Sequence, residues 1–252
     1  MNIIYLFLKF LFLLSLKNSV NGAYGGYEGV FVWDSFYGFQ TFKCLKNNFS
    51  AEFAIVQAFT YKGVIDKSLR FNYFNAKNAG ICDIDVYIYP CVQPGYVKNG
   101  CGNAKKTIDD TLDYLKKNKM EVGRVWLSIF GLGVRDNVIG WDEYNIAKNI
   151  EFIEEMINTL KECKQDYGIY TAKADWLGIT GNTQKFKEVP LLYTTKDASL
   201  NNFDDFVEFG GWTKPSAKLY VFKESCGITV ANIIKPTLNN LKNCYDSYVK
   251  ED

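Results

Sequence analysis

The sequence predicts an α/β protein whose single domain forms an irregular, TIM-like β/α barrel. Two patterns favour this class. Short runs of β-branched and aromatic residues alternate with segments of helical period, as in βαβ units around a mainly parallel sheet. Late in the chain, strand-like runs follow one another with little helix between them, which favours an irregular barrel over eight regular βα units.

The predicted strands are short runs rich in β-branched and aromatic residues, which fit a pleated and largely buried sheet. They cover residues 30–33, 53–59, 83–89, 124–130, 168–171, 191–195 and 218–222. Their spacing along the chain is that of barrel strands.

Three segments have the apolar periodicity of helices. In residues 143–163, isoleucine and leucine recur at intervals of three and four and predict one apolar helix face. Residues 107–118 repeat this pattern more weakly. A third, closing helix is predicted from Leu238, Leu241, Tyr245 and Tyr248.

Composition indicates a large folded domain without an electrostatic preference for a partner. Of the 252 residues, 48% are hydrophobic and 16% aromatic, which suffices for a sizeable core. Lys and Arg number 29 against 28 Asp and Glu, so the net charge is only +1. Because no field of one sign is present, we expect neither nucleic acid nor an anionic membrane as a partner.

The N-terminus has the features of a secretory signal peptide over residues 1–22. Its apolar run is too short for a confident membrane span, and Val20 and Gly22 are small residues suited to cleavage before Ala23. The mature domain is therefore predicted as residues 23–252, with no further membrane span. We expect it to be secreted, or delivered to a phagosomal or lysosomal lumen.

Cysteine usage agrees with an oxidising compartment. Seven cysteines predict disulfides, and the odd number leaves one thiol for a possible disulfide-linked partner. Cys91 and Cys101 bracket a turn-rich loop and are the favoured pair, whereas the other pairings stay open. Asn48 begins an Asn-Phe-Ser glycosylation acceptor, which also fits secretion.

Histidine is absent from the chain, which restricts the possible chemistry. Ser-His-Asp and Cys-His nucleophile systems and histidine-ligated metal sites are excluded. There is no C-x-x-C spacing, and Gly131-Leu132-Gly133 is only part of a nucleotide-binding motif. We therefore expect no metal and no cofactor, and either carboxylate chemistry or none.

Several short stretches occur in the order found in one enzyme family. They are residues 41–45, 53–56, 75–80, 85–91, 125–127, 168–170 and 210–215, the last reading Gly-Gly-Trp-Thr-Lys-Pro. Over residues 29–236 the chain thereby resembles the eukaryotic branch of the glycoside hydrolase family 25 lysozymes. This resemblance implies an irregular β/α barrel and hydrolysis of the β-1,4 bond between N-acetylmuramic acid and N-acetylglucosamine in bacterial peptidoglycan.

The same resemblance places the catalytic acids, and this chain departs from it there. Such hydrolysis needs a protonated acid and a second carboxylate. Where the family has Trp-Leu-Asp-Ile-Glu in its central strand, this chain has Trp-Leu-Ser-Ile-Phe, so Ser128 and Phe130 replace the acids. Strand alternation puts both on one face, and a phenyl ring cannot donate a proton.

The first and last strands show the same kind of replacement. The alignment puts Phe31 and Ala231 where the family has aspartates. No catalytic residue is therefore expected at the four acid positions. Sliding the first strand would let Asp34-Ser35 supply the motif, but it shortens the distance to Phe42-Lys43-Cys44. Asp34 is the residual catalytic candidate.

Aromatic residues fall where the family lines its sugar groove. Because stacking on a sugar needs no acid, we expect glycan contacts from some of Tyr87, Tyr89, Trp126, Tyr170, Tyr193 and Trp212. The alternative for each ring is ordinary core packing. The leading hypothesis is a catalytically degenerate lysozyme-like protein, a pseudoenzyme, that binds peptidoglycan or another N-acetylated glycan.

Three other interpretations stay open. The chain could be an active glycosidase that uses Asp34 with a further acid such as Asp85. It could be a structural or interaction protein linked to a partner through the odd cysteine. Finally, Ser128 and Phe130 could be ordinary strand residues of a protein unrelated to lysozymes.

Overall fold

The computed structural model describes residues 26–33, 35–93, 101–131, 134–135, 138–195 and 201–236. The strands are β1 (Tyr27–Val32), β2 (Phe53–Thr60), β3 (Val64–Ile65), β4 (Asp83–Ile88), β5 (Val125–Ile129), β6 (Val134–Arg135), β7 (Val138–Ile139), β8 (Tyr167–Thr171), β9 (Leu191–Thr194), β10 (Ala217–Ser225) and β11 (Ile228–Lys235). The helices are α1 (Phe39–Phe49), α2 (Leu69–Asn78), α3 (Ala104–Lys117), α4 (Ile146–Glu162) and α5 (Lys173–Thr180). The predicted signal peptide and the predicted C-terminal helix lie outside the described residues.

The main sheet closes into a barrel. Its strand order is β1-β11-β10-β9-β8-β5-β4-β2, and pairing of β1 with β2 completes the ring, while β3 adds to the edge of β2. Neighbouring strands of the ring are parallel except at β11, which is antiparallel to both β10 and β1; β3 is antiparallel to β2. Because β9, β10 and β11 follow one another with no helix among the described residues between them, the irregular barrel predicted from the sequence is confirmed.

Each predicted strand is present, with ends shifted by a few residues, and two predicted helices correspond to α3 and α4. Helix α4 begins at Ile146 rather than at residue 143. The carboxylate of Asp142 accepts the N–H groups of Tyr144 and Asn145, and the Asn145 side chain then accepts the Lys148 N–H at 3.0 Å. These contacts form a capping turn that delays the start of the helix.

Helices α1, α2 and α5 were not predicted. In α1, only Phe42 and Leu45 are buried, so the helix has too short an apolar stripe to be recognised by periodicity. In α2, the buried face includes the polar side chain of Asn72. The local sequence of α1 and α2 therefore carries only a weak helix signal, and contacts with the rest of the fold stabilise both helices.

Apolar side chains pack on both surfaces of the barrel wall. The outer layer lies between the strands and the helices and includes Trp141, Ile153 and Leu160. The inner layer fills the barrel. It contains Phe31, Phe53, Ile55, Tyr87, Trp126, Tyr170, Leu192, Ala217, Leu219, Ala231 and Ile233. Alternation along the strands assigns neighbouring residues to opposite layers.

A buried ion pair lies at the end of the barrel where the parallel strands begin. The Asp85 carboxylate accepts hydrogen bonds from the Trp126 indole at 3.0 Å, the backbone N–H of Arg124 at 2.8 Å and the Lys235 ammonium at 3.1 Å. Lys235 ends β11 opposite Tyr27, the first residue of β1. Asp85 is therefore fully paired and distant from the carboxyl ends of the strands, where active sites of such barrels lie.

Disulfides form at the predicted loop and elsewhere in the chain. Cys91 is bonded to Cys101, which confirms the favoured pair. Cys44 in α1 is bonded to Cys226, 182 residues later in the sequence. Cys82 is also disulfide-bonded, whereas Cys163 is free and exposed.

The Cys44–Cys226 bond attaches the β10–β11 hairpin to α1. Only residues 217–219 of β10 pair with β9, so the rest of the hairpin projects past that neighbour. Its turn contains Cys226 and Gly227, both with positive φ. Lys223 of the same hairpin lies over the Phe49 ring of α1, 5.2 Å from its centroid. The hairpin is thus held against the helix at two points.

We expect replacement of this disulfide to destabilise the fold. The double variant Cys44→Ser with Cys226→Ser should lose about 2–5 kcal/mol of unfolding free energy, because a long loop in the unfolded chain is no longer closed. Urea unfolding followed by tryptophan fluorescence measures this loss. The control Cys163→Ser removes an exposed free thiol and should stay within about 0.5 kcal/mol of the parent. Equal midpoints for the double variant and the control would contradict the structure.

Asp85 should behave as a structural acid. Asp85→Asn removes one of the two carboxylates that compensate the partly buried Lys235 ammonium. Because Asp83 remains 3.6 Å from that ammonium, we expect a loss of about 2 kcal/mol in unfolding free energy. The matched control is Asp109→Asn, which breaks an exposed pair with Lys105 within α3. That change should cost less than about 0.5 kcal/mol. Similar urea midpoints for both variants would show that Asp85 is not a structural ion-pair partner.

Candidate functional site

The residues at the four expected acid positions lie together in the barrel. Phe31 and Ala231 are directly paired across β1 and β11, and Ser128 is paired with Tyr170 across β5 and β8. The Phe31 ring lies 5.2 Å from the Tyr170 ring, and the Phe130 ring lies 4.6 Å from it on the other side. Strands far apart in sequence therefore bring these positions to one place.

Rings fill the space between these positions. Phe31 stacks on Tyr87 with 4.3 Å between ring centroids and an angle of 28° between planes. Phe31, Ser128 and Ala231 are each no more than 2% exposed, and Phe130 is only partly buried. The centre of the barrel is consequently dry and closely packed, and Phe130 marks its upper limit toward solvent.

The polar atoms of this inner layer are neutral. The Tyr87 hydroxyl donates to Gln57 Oε1 at 2.8 Å. Burial raises the pKa of Tyr170 far above its usual value, and the nearby charge of Asp175 and the Tyr89 hydroxyl raise this pKa further. Tyr170 therefore remains protonated at physiological pH.

A small polar rim surrounds Phe130 at the mouth, which is the end where the parallel strands finish. Asp175, in the first turn of α5, accepts the Gly131 N–H at 3.1 Å. Gly131 has φ +80°, and a Cβ there would lie 3.0 Å from the Tyr89 hydroxyl. Sequence reasoning missed Asp175, although its place directly after β8 is a position at which barrel enzymes often carry functional side chains.

Five of the six predicted sugar-contacting rings are buried: Tyr87 and Tyr170 in the inner layer, and Trp126, Tyr193 and Trp212. Trp126 is fully buried and donates to Asp85, and Trp212 donates from its indole to the Val189 carbonyl at 2.7 Å. Tyr193 donates to Asp205 Oδ1 at 2.6 Å. Trp212 and Tyr193 belong to the outer layer, outside the barrel interior. Sugar stacking by Trp126, Tyr193 or Trp212 would require the ring to leave the core.

Tyr193 belongs to a buried polar cluster that anchors the segment before β10. The fully buried Lys218 ammonium donates to Asp205 at 2.8 Å and to the Asn202 carbonyl at 2.9 Å. Burial raises the pKa of Tyr193, and the hydrogen bond to Asp205 raises it further. For Asp205, burial opposes ionisation, but hydrogen bonds from Lys218 and Tyr193 outweigh it and lower the pKa of this carboxyl. The cluster is structural.

The remaining predicted residues are placed as follows. Tyr87 and Tyr170 line the barrel interior, and Tyr89 lies at its rim in edge contact with Tyr61. Asp34 lies outside the described residues. Asn48 is exposed on α1, where its glycosylation stays a prediction.

Within the described part of the chain, no group of three acidic or cysteine side chains is arranged to hold a metal ion. Over the same residues, no helix combines the length and apolar character needed to cross a bilayer.

Comparison with known sequences identifies the family. The family model described as Lysozyme-like protein 1 matches residues 34–220. Probable GH family 25 lysozyme 5 of Dictyostelium discoideum is 33% identical over 191 residues, covering 75% of this chain and 82% of the relative. Lysozyme-like protein 5 of Caenorhabditis elegans is 30% identical over 193 residues, covering 75% and 83% respectively. These matches exclude the interpretation that the chain is unrelated to lysozymes.

Solved structures share the fold at low sequence identity. A family GH25 lysozyme from Aspergillus fumigatus superimposes with a TM-score of 0.61 at 16% identity, covering 85% of this chain and 95% of the other. The modular autolysin LytC from Streptococcus pneumoniae, solved in complex with a synthetic peptidoglycan ligand, gives 0.67 at 14% identity, covering 83% and 46%. From its sequence relatives, and in agreement with this fold, the chain belongs to the glycoside hydrolase family 25 lysozymes.

Proposed function

We propose that this chain is a catalytically degenerate member of its family that binds bacterial peptidoglycan or a related N-acetylated glycan without cleaving it. One observation carries the proposal. At the four positions where the family resemblance expects acids, Phe31, Ser128, Phe130 and Ala231 stand in or against one uncharged layer. Loss of one acid would leave the others in place, whereas here the whole set is absent.

The chemistry of glycoside hydrolysis supports this proposal. Cleavage needs two carboxyl groups on either side of the scissile bond, separated by roughly 5–9.5 Å. The stacked rings of Phe31 and Tyr87 lie in the inner layer, and none of the four expected positions supplies a carboxyl group there. Asp85, the further acid considered from the sequence, is paired with Lys235 at the opposite end of the barrel. It is therefore unsuited to act with Asp34.

A binding role requires only the outer surface of the mouth. Tyr89 and Phe130 are both partly exposed at the rim, and Asp175 adds a carboxylate there. Aromatic rings and hydrogen-bonding groups are the usual combination in sites for uncharged polar ligands. The lysozyme names of the relatives, and the peptidoglycan ligand bound to LytC, support cell-wall glycan as the ligand class.

The proposed location is extracellular or the lumen of a phagosome or lysosome. Disulfides such as Cys44–Cys226 and Cys91–Cys101 persist in oxidising compartments. The predicted signal peptide over residues 1–22 would direct the chain there.

The central test measures cleavage and binding in the same sample. Mature protein from Ala23 to Asp252 is incubated with purified bacterial peptidoglycan from acid to neutral pH. We expect no soluble reducing ends above a heat-treated control, and we expect the protein to sediment with the wall. Release of reducing ends would overturn the proposal and would require Asp34→Asn as the next variant, since that change should abolish activity based on Asp34. Failure to sediment would exclude the binding role.

Introducing an acidic side chain at Phe31 tests whether the centre of the barrel excludes water. Phe31→Asp should lower the unfolding free energy by about 3–5 kcal/mol through loss of the ring, and by more at neutral pH because a carboxylate would be buried. Burial raises the pKa of the new carboxyl in the folded state, so the extra loss should diminish as pH falls through this raised pKa and should vanish below the unfolded-state pKa.

Urea unfolding near pH 4 and pH 7 measures this difference, and Phe31→Leu is the uncharged control, with an expected cost of about 1 kcal/mol. A Phe31→Asp variant as stable as Phe31→Leu at neutral pH would show that the position is solvated. That result would contradict the filled centre on which the proposal depends.

A further inference from the structure

A separate depression lies beside the barrel mouth, between the end of β1 and the β10–β11 hairpin. Its volume is about 690 Å³, which is within the range of sites for small ligands. The lining residues are Trp33, Ser35, Phe36, Tyr37, Phe222, Ile228 and Thr229. None of them belongs to the four expected acid positions.

The aromatic residues of this depression are unusually exposed. Phe36 is 61% and Phe222 is 58% exposed, and Trp33 is partly exposed. Trp33 and Phe222 stack with 5.6 Å between centroids and 17° between planes. Outside the depression, Phe36 also contacts the exposed ring of Phe71 on α2. A contiguous exposed apolar surface of this kind usually marks a binding site.

Both walls of the depression are held in place. On one side, the buried Asn72 side chain accepts the Tyr37 N–H and donates to the Ser35 carbonyl, each at 2.8 Å. On the other side, the Cys44–Cys226 disulfide fastens the hairpin that carries Phe222. A preformed site loses little conformational entropy on binding, so the exposed rings do not depend on a rearrangement to meet a ligand.

The composition of the depression indicates the ligand class. None of its seven described lining residues has a charged side chain. Ser35 and Tyr37 bear hydroxyl groups, and the Thr229 hydroxyl donates to the carboxylate of Glu224. A charged ligand would find no counter-charge among these residues. A pyranose ring presents an apolar C–H face for stacking and neutral hydroxyl and acetamido groups for hydrogen bonds. This combination matches the rings and hydroxyls of the depression.

We propose that the depression around Trp33 and Phe222 is a saccharide-binding site for N-acetylhexosamine units, set beside the filled centre of the barrel. The inference rests on the proposed glycan-binding function and assigns that function to particular residues. Sugar binding has thereby moved from the centre, where Phe31 and Tyr87 pack together, to the wall formed by β1 and the hairpin.

Trp33 provides a direct spectroscopic test. The chain has five tryptophans, and the other four are at most 3% exposed. Acrylamide should therefore quench mainly Trp33. Addition of the N-acetylglucosamine tetramer should shift the emission to the blue and protect it from acrylamide. Both effects should disappear in Trp33→Phe, whose remaining tryptophans are buried.

Substitutions then locate the site. Phe222→Ala and Phe36→Ala should each weaken tetramer binding by about tenfold, because each removes a ring available for stacking. The matched control is Tyr144→Ala, which removes a 94% exposed ring that does not line the depression. It should bind as the parent does. Circular dichroism and urea midpoints verify that all variants remain folded.

The outcomes separate the two proposals. If the parent sediments with peptidoglycan but the tetramer leaves Trp33 unchanged and Phe222→Ala sediments equally, the depression is not the site and glycan binding occurs elsewhere. If the parent fails to sediment, the proposed function itself is wrong. If Trp33 responds to phospholipid vesicles and not to the tetramer, the surface is a membrane contact and the inference is overturned.

Discussion

The stack of Phe31 on Tyr87 inside the barrel is the contact on which the rest of the structure depends. A closed barrel of this size must be filled by side chains, because empty apolar space costs dispersion energy. Here β1 and β4 supply rings, Tyr170 adds another from β8, and Ala231 provides the small residue opposite Phe31. The same packing places neutral side chains at the four positions where the sequence resemblance leads us to expect acids.

The filled centre determines where function can be located. Among the described residues, the Asp85–Lys235 ion pair lies at the end of the barrel where the strands begin. At the mouth, solvent-accessible side chains lie at the rim around Phe130 and in the depression around Trp33 and Phe222. The Cys44–Cys226 bond therefore has a double role, since it stabilises the fold and positions the hairpin that carries Phe222.

Sequence patterns predicted much of the frame. Strand positions, the apolar stripe of α4 and the Cys91–Cys101 pair follow from local composition and spacing. The pattern did not predict α1, which buries only two side chains. Among the suggested sugar-contacting aromatics, alternation assigned rings to strand faces, but it could not distinguish Trp126, which is covered on all sides, from Tyr89, which reaches the rim.

By itself the sequence determined the class of barrel, the resemblance to family 25 and the absence of histidine chemistry, and it predicted which residues stand at the acid positions. These properties depend on residue type and on spacing along the chain. Only the tertiary structure decided that Phe31, Phe130 and Ala231 come together around Tyr170, and that Trp33 meets Phe222 at a solvent-facing surface. Such contacts join strands separated by up to about two hundred residues, and their exposure depends on every neighbour that packs against them.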